Sequence, residues 1–446
     1  VSMDTRTAPL LSSPIQELLS ERTSLSDWVS GFGSPLHVVF PAQARENYRQ
    51  WEDLLGRAYG SCKIQFALKS CKSSALLQAF AKAGAGADVS SAQEIVSAFV
   101  NMVSAHDMAM TGPAKTNHEM ALCLKHRIPI HVDCIEELRR LLDIAGWAGD
   151  PARLFLRLRP GSEARSRFGM SPDQIEECLN LLKAAGVDQI GYSFHLNDYE
   201  MSSRVRELGR CLQLARRSHA AGFRCCGIDI GGGFPMRYLA GFDRDTYNNG
   251  PLWSGRCASG TYPYAAETYG PFHAAAVIAT ALADPTDLAF LEAGNIPILL
   301  QPGRSLLDQC GVTAFRVTEL KALDENSQIA VLDGMSFSLS ETWFGSDFVP
   351  EPIIINVGNR APRTADLHTY LVGRSCLESD VIRKRSIRPS NGISAGDLVV
   401  FVNTAGYQMD SNESAFHQIP LPRKLAAVRK STGWAFHLDE QGSREE

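Results

Sequence analysis

SCKIQFALKSCKSSALLQAFAKAGAGADVSSAQEIVSAFV, residues 61–100, reads as strand, helix, strand, helix. Lys63–Leu68 is a short apolar run of strand length, and Gly86–Val89 is a second one. Between them Leu76, Leu77 and Phe80 fall on one face of Ser74–Ala83, and Gly84 stands where a left-handed stop residue belongs. Ser91-Ala92-Gln93-Glu94 has the spacing of a capping box, in which serine takes one end amide and glutamate reaches back for another. The stretch is two β/α units in succession.

The same rhythm continues outward. Further strands are expected at Asp107–Met110, Ile128–Val132, Leu154–Leu158, Gln189–His195, Cys226–Ile230 and Ile296–Leu300. Ser171-Pro172 opens a helix that Gly186 ends, and Val205–Ala221 is another, closed by Gly222. Eight units in about 250 residues match a closed (β/α)8 barrel; an open, doubly wound parallel sheet is the alternative, because strand order is not written in a sequence. The unusual polar groups cluster at strand C-terminal ends: Lys69, His195, Gly231-Gly232-Gly233 and Gln301-Pro302-Gly303-Arg304. In a barrel that end is the catalytic face.

Beyond residue 310 the pattern changes to β-type runs at 312–320, 328–333, 352–357, 366–372 and 397–402. The expected architecture is α/β: a (β/α)8 barrel over 41–310 and a second, mostly β C-terminal domain over 311–446, completed by 1–40, whose Pro35–Phe40 run suits a strand. A Tyr-, Gly-, Asn- and Pro-rich insertion at 236–270 follows the glycine turn, where long loops at a barrel mouth tend to be functional.

Composition narrows the class. The 446 residues include 44 Lys+Arg and 49 Asp+Glu, a net charge of −5, with 44% hydrophobic and 21% charged residues. This is ordinary globular usage without the basic footprint of a nucleic-acid or anionic-membrane binder. No apolar run is long enough to span a bilayer, and the amino end has no secretory pattern. The eleven cysteines have no metal-ligand spacing. A cytoplasmic protein with reduced thiols and no metal is expected.

The strand-end groups suggest a chemistry. Lys69 ends an apolar strand, where desolvation lowers a lysine pKa and readies the amine for imine formation. Three glycines let backbone amides approach a phosphate, Arg304 suits an anion, and His195 offers a flat ring. Singly, each has an ordinary structural explanation. Together on one face they are what pyridoxal phosphate requires.

The chain resembles the fold-type III pyridoxal-phosphate decarboxylases, the ornithine and diaminopimelate decarboxylase family, through FALKS at Lys69, GADVSSAQE at Asp88, RSRFGM after Arg157, FHLND at His195, DIGGGFP at Asp229, QPGRS at Arg304, GRSCLESDVI at Cys376 and GDLVVFVNTAGYQM at Tyr407. The resemblance implies that Lys69 forms the internal aldimine, Asp88 orients it and His195 stacks on the pyridine. It places Arg157 and Gln301 among the cofactor contacts. Gly231, Gly232, Gly233, Gly303 and Arg304 would hold the phosphate, with Tyr407 from the partner subunit of a homodimer. It further implies that the partner's Cys376 protonates the α-carbon, and that Asp333, Arg374 and Leu377 face the substrate.

Four departures from the family pattern stand out. Gln301 replaces the glutamate that pairs with the pyridine nitrogen, so that nitrogen is expected to be largely unprotonated. Leu377 follows Cys376 where an acid is usual, Arg374 replaces a proline, and Asp198 stands where a serine contacts phosphate. The first reading is amino-acid decarboxylation. A racemase or epimerase, or a non-catalytic cofactor-binding relative, is the alternative.

Overall fold

The computed structural model describes residues 8–146, 153–162, 165–240, 252–253, 269–339, 351–357 and 367–439, so most of the 236–270 insertion lies outside them. Eight parallel strands close into a barrel: β2 (Cys62–Ala67), β3 (Gly86–Val89), β4 (Met108–Met110), β5 (Ile130–Val132), β6 (Leu154–Arg157), β7 (Gln189–Ser193), β8 (Arg224–Asp229) and β9 (Ile298–Leu300). β9 pairs with both β8 and β2, which completes the ring. The closed barrel is therefore correct and the open sheet is not. Observed and expected strands agree to within two residues at each end: β2, β6, β7 and β8 stop short of the expected end at the mouth, whereas β4, β5 and β9 begin later than expected.

Two glycines make the barrel interior possible. A Cβ on Gly191 would stand 2.5 Å from the Phe155 ring, and one on Gly227 would stand 2.7 Å from Leu299 Cδ1. Phe155, Cys226 and Leu299 pack together in the space these glycines leave, and Phe155 stacks on His131 with ring centroids 4.6 Å apart. A filled interior holds the strand ends in fixed positions.

The helices follow their sequence signals with two corrections. Ser74–Ala83 is capped by the Ser73 hydroxyl and stops at left-handed Gly84. Ser91 Oγ accepts from Glu94 N as expected, but the Glu94 carboxylate accepts from Ser90 N at 2.6 Å rather than from the Ser91 amide. Full capping boxes occur at Thr116/Glu119 and Ser171/Gln174. The helix expected from Val205 begins a turn earlier, spanning Met201–Ala220.

The second unit is a nine-stranded sheet. β1 (Leu36–Val39) lies between β10 (Gly311–Ala322) and β16 (Arg423–Lys430), and β17 (Gly433–Leu438) pairs beside β16. β11 (Ser327–Leu332), β13 (His368–Val372) and β14 (Val381–Ile387) extend the other end, while β15 (Leu398–Val402) joins β10 to β12 (Ile353–Ile355). Helices Ser13–Ser20 and Arg22–Phe32 cover one face, inserting Ile15, Leu18 and Leu25 among Leu36, Val400 and Leu425. Sequence reading missed β14, β16 and β17. In β14 the run VIRKRSI carries three cations, yet Arg383 and Arg385 are buried, so its alternation is hidden by charged side chains lying inward. A buried ion pair ties the two units: Asp410 takes Lys72 N on one oxygen and Lys424 Nζ on the other, at 2.8 and 2.7 Å.

Candidate active site

β2 delivers Lys69 to the barrel mouth through a short 3-10 turn, Leu68–Ser70. Its Nζ lies 3.0 Å from Oδ2 of Asp88, which comes from the next strand. Asp88 Oδ1 accepts from the Thr111 hydroxyl at 2.6 Å, so the carboxylate is fixed from both sides. Burial alone pulls the Lys69 ammonium downward, but the Asp88 and Tyr407 charges and the Asp88 hydrogen bond outweigh it. The net direction is upward. This corrects the desolvation argument: the lysine opens onto the cavity beside a buried counter-ion, not alone in an apolar pocket.

Around Lys69 lies a cavity of about 580 Å³, lined among others by Thr111, His131, Arg157, Phe168, His195, Asp229 and Gln301. Arg157 ends β6, donates to Asp133 Oδ1 at 3.0 Å and sits 4.4 Å from the centre of the Phe168 ring. His195 follows β7, and its Nδ1 accepts from Gly232 N at 3.2 Å. Burial, reinforced by Lys69, Arg157 and Arg204, holds the His195 imidazole far below its ordinary pKa. The ring is neutral at pH 7, with its proton on Nε2.

The glycine turn closes on these groups. A Cβ on Gly231 would come within 2.7 Å of His195 Nδ1, and one on Gly232 within 2.3 Å of the Gln301 carbonyl. Gly231 and Gly233 have φ of +69° and +72°, which glycine adopts freely. Gly303 is tight but less so, since a Cβ there would approach Ser70 Oγ to 3.1 Å and the Tyr407 hydroxyl to 3.4 Å.

Tyr407 is the clearest correction. Its amide donates to Ser70 O of the same chain at 2.7 Å, so it stands beside its own chain's Lys69 rather than a partner's. Arg304 holds it there. The guanidinium donates to Gly406 O at 2.6 Å and Gln408 Oε1 at 2.7 Å, and lies 4.9 Å from the Tyr407 ring centre. Arg304 also bonds the Tyr238 side chain, and like Tyr407 and the glycine turn it stands behind the cavity wall rather than in its lining.

The remaining expected residues form a separate cluster in the β unit. Arg374 pairs with Asp333, and Cys376 N donates to His417 Nε2 at 3.1 Å. Asp380 organises this loop, accepting from Ser336 N at 2.7 Å and Ser375 N at 3.0 Å. Leu377 N reaches Ser375 Oγ at 3.4 Å. Cys376 is exposed, and none of Asp333, Arg374, Cys376 or Leu377 lines the Lys69 cavity.

Two residues were given no role from the sequence. Arg204 is fully buried under the glycine turn, donating to Ile230 O at 3.0 Å, Gly233 O at 2.9 Å and Asp198 O at 3.4 Å. Burial lowers its pKa to about 10, where it still carries its charge. Its signal was its place on the apolar stripe with Leu208, Cys211 and Ala215. The Asp198 carboxylate turns aside to accept from Glu200 N at 3.0 Å, which removes the expected clash with an anion. Asp229 is the second, with Oδ1 accepting from Gly231 N at 2.7 Å and Oδ2 from Gln301 Nε2 at 2.6 Å.

Comparison with known proteins bears on this geometry. A family model described as the pyridoxal binding domain of pyridoxal-dependent decarboxylases matches residues 42–249. The uncharacterised protein y4yA of Sinorhizobium fredii is 34% identical over 95% of this chain and 94% of its own length. Diaminopimelate decarboxylase of Staphylococcus aureus is 24% identical over 91% of each chain. The crystal structure of diaminopimelate decarboxylase from Helicobacter pylori, complexed with L-lysine, superposes with a TM-score of 0.74 at 18% identity, covering 94% of this chain and 97% of that one.

Proposed function

Because the chain belongs to the fold-type III pyridoxal-phosphate-dependent decarboxylase family, we propose that it removes the α-carboxyl group of an amino acid, with Lys69 as the amine that carries the cofactor. That cofactor is pyridoxal phosphate, and the residues fit it: a lysine with a fixed carboxylate, a neutral imidazole, and a glycine turn in which Gly231 and Gly232 leave no room for a Cβ. The observation that carries the reading is the 3.0 Å Lys69–Asp88 pair at a cavity that Lys69 and His195 both line, with the glycine turn tied to His195 through Gly232 N. Lys69, His195, Gln301, Tyr407 and the turns at Gly231–Gly233 and Gly303 would hold the cofactor. When bound, it supplies an aldehyde for amine condensation and a ring that takes up the electron pair left by carbon dioxide.

The chain's own groups do the rest. Asp88 Oδ2 is placed to take the Nζ proton of Lys69, and the Thr111 hydroxyl keeps that carboxylate from rotating. His195 Nδ1 is spent on Gly232, so the imidazole presents a fixed, uncharged face. Cys376 Sγ delivers the proton to the α-carbon, and it does so from the partner subunit of a homodimer. What supports this is its exposure away from its own chain's cavity, beside Asp333 and Arg374. With the Asp333 charge already met by Arg374, the substrate's distal end is not a bare ammonium. The described cysteines are all unpaired, which suits a cytoplasmic setting; among the described residues no single helix is long and apolar enough to cross a membrane.

The test is subunit mixing. Lys69→Ala and Cys376→Ala proteins, each deficient in amine product, are dissociated and reassociated together. A site shared across two subunits restores about a quarter of the wild-type rate of amine formation, since half the dimers are mixed and each holds one intact site. No recovery in verified mixed dimers overturns the shared site.

A further inference from the structure

We propose that Asp229 is the counter-charge for the cofactor's ring nitrogen, acting through the side-chain amide of Gln301. This deepens the proposed function and rests on that reading of the cavity. It reverses the expectation that replacing a glutamate with Gln301 leaves the ring nitrogen unprotonated.

Asp229 and Gln301 end neighbouring strands, β8 and β9, and are locked together at three points. Gln301 N donates to Gly231 O at 2.9 Å, Gly231 N donates to Asp229 Oδ1 at 2.7 Å, and Gln301 Nε2 donates to Asp229 Oδ2 at 2.6 Å. Asp229 is 1% exposed, and among the described residues no Lys or Arg stands within ion-pair distance of it. The nearest titratable group is His131, whose Nε2 lies 3.6 Å from Oδ2, and burial keeps that imidazole neutral. Burial and the Asp88 charge push the Asp229 carboxyl up, while Gly231 N–H, Arg157 and Lys69 oppose them; it settles at about 8. A carboxyl in this state gains most from a cation placed one group away.

The amide is the link. Two arrangements contain the same number of protons. In one, ionised Asp229 accepts from Nε2, and the polarised Oε1 accepts from a protonated ring nitrogen. In the other, protonated Asp229 donates to Oε1, and the amide NH₂ faces an unprotonated ring. The structure has the first amide orientation, with Nε2 toward Asp229. Burial leaves Asp229 largely protonated at pH 7 in the unloaded cavity, and a protonated ring one amide away adds to Gly231 N–H, Arg157 and Lys69 in drawing it to the ionised form that this orientation needs. An amide polarised by a charge-assisted hydrogen bond is a stronger acceptor at its oxygen. The family's carboxylate has in effect moved one residue further from the ring.

The experiment is ¹⁵N magnetic resonance of holoenzyme loaded with ring-¹⁵N pyridoxal phosphate, which reports nitrogen protonation without turnover. The expected result is a protonated ring at pH 7 in the wild type, lost in both Asp229→Asn and Gln301→Met and kept in Gln301→Glu. An unprotonated wild-type ring overturns the inference, as does a protonated signal that both variants retain. Loss in the Asp229 variant alone overturns the amide's part. If Asp229→Asn fails to fold or to load, Gln301→Met decides by the same criterion. A label bound elsewhere than Lys69 contradicts the proposed function itself, whereas a Lys69-bound label with an unprotonated ring contradicts only this inference.

Discussion

The Arg204 guanidinium donates to the Gly233 carbonyl across 2.9 Å, from a side chain with no solvent exposure. One helix thereby fixes the glycine turn from below, through Ile230 and Gly233, and the segment after β7 through Asp198. Arg204→Leu leaves these buried carbonyls unpaired, at roughly 1–3 kcal/mol each. We expect at least about a tenfold rise in the Kd for pyridoxal phosphate, or ~1.4 kcal/mol, with Arg204→Lys recovering part of it. Spectroscopic cofactor titration alongside thermal unfolding separates the two effects. Lost stability with unchanged affinity would confine Arg204 to a structural role.

The Lys69–Asp88 pair predicts a pH shift with a definite sign. Although burial pulls the Lys69 pKa down, Asp88 and Tyr407 raise it on balance, and the cofactor condenses only with the neutral amine. Asp88→Asn removes the first opposing charge, so the pH midpoint for cofactor attachment to the apoprotein must move down. Rapid-mixing spectra across pH measure it. An unmoved or raised midpoint contradicts the pairing argument.

For Cys376, Cys376→Ala is expected to keep releasing carbon dioxide while its product partitions toward misprotonated, transaminated species. Product analysis by mass and chirality decides. Unchanged turnover and stereochemistry would leave Cys376 as an exposed loop cysteine held by its backbone bond to His417.

Much of this was legible in the sequence, for identifiable reasons. The eight β/α units declare themselves because their strands are continuous apolar runs and their helices carry local caps such as Ser171/Gln174. Lys69, His195 and the glycine turn were found because polar groups at strand ends are conspicuous. Tyr407 was assigned to the wrong subunit, because proximity across 338 residues depends on how Arg304 docks the Gly406–Gln408 segment, which has no sequence period. Strand β14 was hidden by inward-facing arginines. The role of Asp229 was invisible because it depends on which way one amide faces.

Acid sensitivity follows from the buried imidazoles. His37, under burial and the Lys424 charge and against the opposing pull of Asp410, has its pKa lowered from 6.5 to about 3, and His131, His195 and His273 are lowered too. Below pH 6.5 the unfolded chain binds protons that the folded chain refuses, so stability falls as pH falls. His37→Gln should reduce that slope between about pH 4 and 6 by up to about 1.4 kcal/mol per pH unit. Urea unfolding at several pH values measures it, and an unchanged slope would mean His37 is protonated in the fold.

Carbon dioxide release mapped to Lys69 is the most direct test. Holoenzyme is offered a panel of L- and D-amino acids with labelled carboxyl groups, and a parallel sample is reduced with borohydride and digested. The predicted result is labelled carbon dioxide and the corresponding amine from at least one amino acid, with the reduced cofactor on the Lys69 peptide and both signals lost in Lys69→Ala. Cofactor trapped on Lys69 with no carbon dioxide from any member of the panel, and inversion or solvent exchange at the α-carbon instead, would contradict it.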